Sequence, residues 1–210
     1  MGAVQPSPAK LGLRERKKQQ TRDRIVREAL KLFAERGYDD TTLADIADAA
    51  DVAPRTIFAY FEGKEDIILC KELTFLNALR TKLDERPPGT TTVDALREFL
   101  SGIDPPDDEA KLRKQILSSN PSLQLSMRAR HGQLEPMLAA SIAKDLGTGP
   151  DDIRSLLVAA SMTAAFTSVR DRFMEADPGG ESITHEDGMA VLDQVLEFLR
   201  GGLEALQSDS

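Results

Sequence analysis

An all-α fold is predicted for this 210-residue chain, on three observations. Apolar residues recur at helical spacing, as in Ile25, Ala29, Leu32 and Phe33 at i, i+4, i+7 and i+8. Stretches with that period alternate with breaker clusters: ERPPGTTT (85–92), GIDPPDDE (102–109), NPS (120–122), DLGTGPDD (145–152) and DPGGES (177–182). No alternating strand pattern and no glycine-rich strand–turn–helix unit occurs.

The elements follow in order. Residues 1–12, rich in Pro and Gly, are expected to form a disordered tail. A first helix runs from Thr21 to a stop at Gly37, just past Arg36. Thr42 then reads as the N-cap of a second helix, LADIADAA, with Asp45 as its capping-box partner. Asp51 and Val52 make a turn. Pro54 suits the first turn of a third helix, where a missing N–H costs nothing, and that helix is expected to end near Glu62-Gly63. A fourth starts at Lys64-Glu65-Asp66. Farther on, helices are expected over about 64–85, 93–102, 110–118, 122–146, 152–176 and 186–206.

Composition narrows the function. Apolar residues at 40% and charged residues at 30% describe a globular chain. No run of about 18 apolar residues is present, so no membrane span is expected. The first twenty residues lack an apolar core and are not expected to act as a secretory signal. One cysteine, Cys70, excludes an internal disulfide, suits a reducing cytoplasm, and reads as a small buried hydrophobe more readily than as a redox sensor. His131 and His185 are far apart and no Cys–His cluster of zinc spacing appears, so neither a metal nor a cofactor is expected. Phosphate-loop, nucleophile-elbow and dinucleotide motifs are absent, which argues against an enzyme.

Charge is unevenly placed on a chain of net charge −8. Residues 10–31 hold nine Lys and Arg against three acidic residues, whereas residues 65–210 hold 15 basic and 25 acidic ones. A basic block on an acidic chain fits a polyanion-binding head on a non-binding body, or a solvated helix face. The decapeptide VAPRTIFAYF (52–61) favours the head. It crowds Ile57, Phe58, Tyr60 and Phe61 together with Arg55 and Thr56 on one short helix after a tight turn, the pattern of a helix-turn-helix.

The segment TRDRIVREALKLFAERGYDDTTLADIADAADVAPRTIFAYFEGKEDIIL resembles the DNA-binding domain of the TetR family of transcriptional regulators, without a gap over roughly residues 14–70. LFAERGYDDTTLADIA, VAPRTIFAYF and the KED start of the next helix carry the likeness. On this reading residues 13–63 are the DNA-binding head and residues 64–210 an effector-binding and dimerisation body. Arg55 can fork onto guanine, Thr56 can reach a base edge or phosphate, and Pro54 can pack on a thymine methyl. Tyr60 can donate to a phosphate, Thr42 and its helix start can hold another, and Lys64 matches the family's phosphate-binding lysine. Ile57 and Phe61 are expected in the core, with Phe58 and Tyr60 on the groove-facing edge and Ala59 among the DNA-binding candidates. Arg14, Lys17 and Lys18, with Arg16, form a candidate flexible arm along the backbone. The sequence departs from the family at Phe58, where Tyr is usual, at Ala59 and Ala44, which offer no hydrogen bond, and at Asp51, which replaces a turn glycine.

The resemblance further implies a body that binds a small molecule and a final helix pair that forms a dimeric four-helix bundle. The dimer candidates are Leu156, Ala160, Phe166, Phe173, Leu192, Val195, Leu196 and Leu199; the alternative is that these complete the subunit's own core. NPSLQLSMRARHGQLE and its surroundings, roughly 85–200, resemble the ligand domain of a TetR subgroup associated with acyl-CoA-like effectors. That likeness implies a long, mainly apolar ligand with an anionic head near Arg128 or Arg130. Candidate lining residues are Leu76, Leu79, Leu100, Leu117, Leu123, Met127, Leu134 and Met137, which read more readily as ordinary core, with His131 as a candidate to orient a ligand that reads more readily as an exposed or satisfied histidine. The function expected is a homodimeric cytoplasmic regulator, a repressor, bound to a palindromic duplex and released by its effector. The alternative is an activator or architectural DNA-binding protein without an effector.

Overall fold

Capping residues and glycines set most helix boundaries in the computed structural model, which describes residues 12–149, 151–174 and 185–208. Among these residues there are ten helices and no strand. They are α1 (Leu13–Arg36), α2 (Leu43–Ala49), α3 (Pro54–Ile57), α4 (Lys64–Asp84) and α5 (Thr92–Ser101). The rest are α6 (Asp108–Ser118), α7 (Pro121–His131), α8 (Leu134–Leu146), α9 (Ile153–Met174) and α10 (His185–Ser208). The expected tail at 1–12 lies, but for Gly12, outside the described residues.

α1 corrects one expectation: it starts at Leu13, about two turns before Thr21, so Arg14, Arg16, Lys17 and Lys18 stand on a helix and not in a flexible arm. Residues 13–20 are strong helix formers with no glycine or proline, so the helix held by buried Ile25, Ala29, Leu30 and Phe33 extends backwards into solvent. The Arg16 N–H closes the first turn on the Gly12 carbonyl at 3.0 Å, and Gln19 donates to Asp23 at 2.8 Å. Gly37, at φ 89, ends the helix and returns its N–H to the Phe33 carbonyl at 3.0 Å.

The Thr42 capping box forms as the spacing predicts. Thr42 Oγ1 accepts from the Asp45 N–H at 3.1 Å, and the Asp45 carboxylate accepts from the Thr42 N–H at 2.8 Å. Asp51 sits at φ 48, the only non-glycine residue with positive φ among those described. Its short polar side chain tolerates the left-handed turn between α2 and α3. α3 is one turn long, not the eight or so residues expected. Beyond Ile57 the chain tightens, with N–H groups of Ala59 and Tyr60 bonding three residues back at 3.1 and 2.9 Å. Burial of Ile57 and Phe61, to 0% and 2% exposure, holds this tightened turn against the core.

The chain divides into two compact units, residues up to 74 with 104–127, and 75–103 with 128 onward. α6 and the first half of α7 cluster with the head, and α1 packs on α6. The cause is apolar: Ile116, Leu117, Leu123 and Met127 are all buried. Arg113 joins them, donating to the Ile68 carbonyl at 2.7 Å and to Glu109 at 2.8 Å. The single helix expected over 122–146 is two, because the backbone turns at Gly132, where a Cβ would stand only 3.1 Å from the Ala129 carbonyl oxygen.

The second unit is built on Phe75, Leu79 and Leu83 of α4, Val93 and Phe99 of α5, Leu138 and Ile142 of α8, and Met162 of α9. Phe75 meets Phe99 edge-on at 5.2 Å and stacks on Phe166 at 5.8 Å. A buried polar staple closes one end. Arg86 donates to Asp145 at 2.6 Å, to the Thr92 and Ser141 hydroxyls at 2.6 and 2.8 Å, and to the Ser141 carbonyl at 3.0 Å. The other Asp145 oxygen takes the Thr92 N–H at 2.7 Å, so the carboxylate also caps α5.

Two tests follow from this geometry. Arg86→Ala strips the buried Asp145 carboxylate of its guanidinium and should lower unfolding stability by about 3–5 kcal/mol in urea titration, more than paired replacement by Met and Leu. Hydrogen bonds from the Thr42 hydroxyl and then the Thr42 backbone hold the Asp45 carboxyl below its ordinary range. That contribution to stability is present above the unfolded carboxyl value and fades as pH falls through the folded one. In an NMR titration, Thr42→Ala should raise the Asp45 midpoint.

Candidate nucleic-acid interface

The segment 54–61 is amphipathic in an unusual sense, since one apolar face is inside and a second stays outside. Ile57 and Phe61, four residues apart, share the buried side. Pro54, Arg55, Phe58 and Ala59 are consequently turned out, with Phe58 62% exposed, while Thr56 and Tyr60 are half-buried at the edge. Of the residues in the expected division, Ile57 and Phe61 are buried, Phe58 is exposed and Tyr60 is half-buried. An exposed surface of one guanidinium and several apolar groups suits base edges, where Arg takes guanine acceptors and apolar atoms meet thymine methyls.

Lys18 and Arg22, one turn apart on α1, approach this segment. With Glu15, Gln19, Ala59 and Tyr60 they line a polar cleft of about 320 Å³. Arg22 also lies over the Phe61 ring, 5.0 Å from its centroid. Arg22 is the residue that site selection from sequence missed, although its i, i+4 spacing from Lys18 marks the shared face. Arg14 and Lys17 are exposed on the same helix.

Two further candidates are placed differently from the rest. The Thr42 hydroxyl is occupied within its own capping box, against an acidic partner. Lys64, at the first position of α4, donates to the Tyr38 carbonyl at 2.8 Å and the Asp39 carbonyl at 3.2 Å, with its ammonium 4.7 Å from the Tyr38 ring centroid. Burial, then the Glu65 and Asp39 carboxylates, push the Tyr38 phenol above its ordinary value.

The effector candidates fall in both units and are mostly core. Leu76, Leu79, Leu100 and Leu134 belong to the second unit's core, with Met137 at its margin. Leu117, Leu123 and Met127 are buried in the first unit. Arg128 is exposed and Arg130 half-buried. His131 is buried, its ring edge-on to Phe166 at 6.4 Å. Lys114 on α6, which the sequence reading did not single out, has its ammonium pushed below the ordinary range by burial. Cys70 is buried. Among the described residues no group of His, Cys, Asp and Glu has metal-binding proximity, and no helix is long and apolar enough to cross a membrane.

α9 and α10 pack together. Leu196 and Leu199 are buried in the subunit, and Phe166, Leu192 and Val195 pack against that core. Ala160 is half-buried and Leu156 37% exposed. The Phe173 side chain lies outside the described residues. Periodicity alone thus selects chiefly the inward face of the pair. The outward apolar residues are Ile153, Leu157, Val191 and Phe198, the last 81% exposed.

The family described as bacterial regulatory proteins, tetR family, matches residues 25–69, and the MftR C-terminal domain matches residues 86–204. The HTH-type transcriptional regulator TcmR of Streptomyces glaucescens is 31% identical, over 97% of this chain and 93% of that protein. The biofilm operon negative transcriptional regulator IcaR of Staphylococcus aureus is 27% identical, over 62% of this chain and 70% of its own length. Among solved structures, the SmeT–triclosan complex superposes with a TM-score of 0.60 at 21% identity, covering 86% of this chain and 91% of that one. SmeT is the repressor of a Stenotrophomonas maltophilia multidrug efflux pump. With its helix-turn-helix head, all-helical body and a relative matched nearly end to end, the chain belongs to the TetR family of DNA-binding transcriptional regulators.

Proposed function

We propose that the protein is a repressor that binds a palindromic duplex as a homodimer and leaves it when a small, largely apolar molecule occupies the body. The outward face of segment 54–61 carries this reading. Arg55 is exposed beside Pro54, Phe58 and Ala59, with basic α1 residues alongside, and each side chain there suits either a base edge or a phosphate.

A two-fold palindrome calls for two heads, and the outward apolar residues of α9 and α10 supply a reason for two chains to meet. Ile153, Leu157 and Phe198 expose large apolar surface that a second copy would remove from water. Release would follow from an effector that binds the non-DNA-binding arrangement more tightly; that difference in affinity sets the size of the switch. The negative regulator IcaR and the repressor SmeT support repression, and triclosan in the SmeT complex supports an apolar effector. The acyl-CoA-like class is one such chemistry, with Arg128 or Arg130 as the cation for its anionic end.

Selection of genomic fragments by the purified protein tests the reading, because recovered sites should share one inverted repeat. Arg55→Ala should weaken binding to that repeat by about 1–3 kcal/mol and relax preference at one base pair of each half. Equal affinity of the unaltered protein for the repeat and a scrambled duplex would overturn operator recognition. Leu157→Glu with Phe198→Glu should sediment as a monomer and bind the repeat far more weakly. A monomeric unaltered protein would remove the dimer.

A further inference from the structure

Ala59 stands exposed on segment 54–61 and lines the polar cleft of about 320 Å³ between that segment and α1. It contributes a methyl group only, so space remains beside it that a larger side chain would occupy. At about 30 Å³ of liquid volume for each water, the cleft takes a phosphate group with several waters. Its other walls are Glu15, Lys18, Gln19 and Arg22 from α1, and Tyr60 from the segment.

Three of these side chains suit an oxyanion. Lys18 and Arg22 are one turn apart, so their charges follow each other by about 6 Å along α1. The Arg22 guanidinium lies over the Phe61 ring at 5.0 Å, and stacking of that kind leaves its N–H edge for an acceptor. Tyr60, its ring 6.5 Å from that of Phe61, adds a hydroxyl that can donate. Among the described residues neither Lys18 nor Arg22 is in an ion pair. Glu15 is the one carboxylate among the lining residues, so two cations stand against one anion. Ala59 and Tyr60 also belong to the segment that carries the base-reading groups, and the anion a duplex presents beside its base edges is a backbone phosphate.

We propose that the cleft is a seat for one phosphate of the DNA backbone, open because residue 59 is alanine and served by Lys18, Arg22 and the Tyr60 hydroxyl. It gives the head a contact from α1, outside the helix-turn-helix. The proposal rests on the reading of segment 54–61 as the face that meets DNA.

Salt dependence tests the seat, because a phosphate contact is blind to sequence and contributes about one unit to the slope of log affinity against log salt. The probes are the duplex recovered by the full-length protein from a randomised pool and a scrambled version of it, read by fluorescence anisotropy across a salt series. Lys18→Met should lose about one unit of slope on both duplexes. Arg27→Met removes an exposed cation about two and a half turns beyond Lys18, on the other side of α1, and should keep the full slope. Ala59→Leu fills the cleft without altering charge. It should lose at least the unit that Lys18→Met loses, and adding Lys18→Met to it should change the slope no further.

A slope lost equally by Lys18→Met and Arg27→Met, or kept by Lys18→Met, overturns the proposal. So does full additivity of Ala59→Leu with Lys18→Met. Should the unaltered protein bind both duplexes equally, operator recognition fails on its own and the slopes still decide the seat. Binding to neither duplex removes both readings. Should Ala59→Leu not fold, Ala59→Met takes its place under the same criteria.

Discussion

Burial of Ile57 and Phe61 is the constraint on which the outward face of segment 54–61 depends. They are four residues apart and both enter the core of the head, which leaves Arg55, Phe58 and Ala59 no direction but outward. A longer, regular helix would not be needed for this, and the chain forms only one turn before it tightens. Phe58 stands 62% exposed on that outward side, outside the head's core.

Much of this was legible from local chemistry. Thr42 with Asp45, Gly37 after Arg36, and Pro54 at a first turn each act through immediate neighbours, and each appears where the spacing places it. Asp51 at positive φ is the same kind of inference, from one side chain's tolerance of one backbone region. The misreadings have a common origin in effects that local pattern does not carry. The start of α1 went wrong because residues 13–20 have no apolar face, so periodicity is silent while propensity still extends the helix. The break at Gly132 was present as a glycine, but the apolar residues on both sides keep a helical period through it.

Tertiary partnership was the least legible level. Nothing in the spacing of Ile116, Leu117, Leu123 and Met127 says that they bury with the head's unit and not with the body's. The C-terminal pair shows the same limit. Apolar residues stand on the outward as well as the inward side of α9 and α10, so the sequence identifies the helices without saying which leucines the subunit keeps. Polar groups were harder still: the Arg86 staple joins residues 55 and 59 positions apart, and the Lys64 contacts span 26 and 25. A lysine at the right place in a motif suggests a ligand. Only its surroundings reveal which acceptors it already has.

The early start of α1 has a consequence for association. A loose basic segment would have to become ordered as it met a polyanion, at an entropic cost of about 1–2 kcal/mol for each residue fixed. Residues 13–20 already stand in register on a helix anchored by Ile25 and Phe33, so their cations are presented at a fixed pitch before any encounter. Preorganised charge of that kind steers approach and loses little freedom on contact, which favours fast capture over tight induced wrapping.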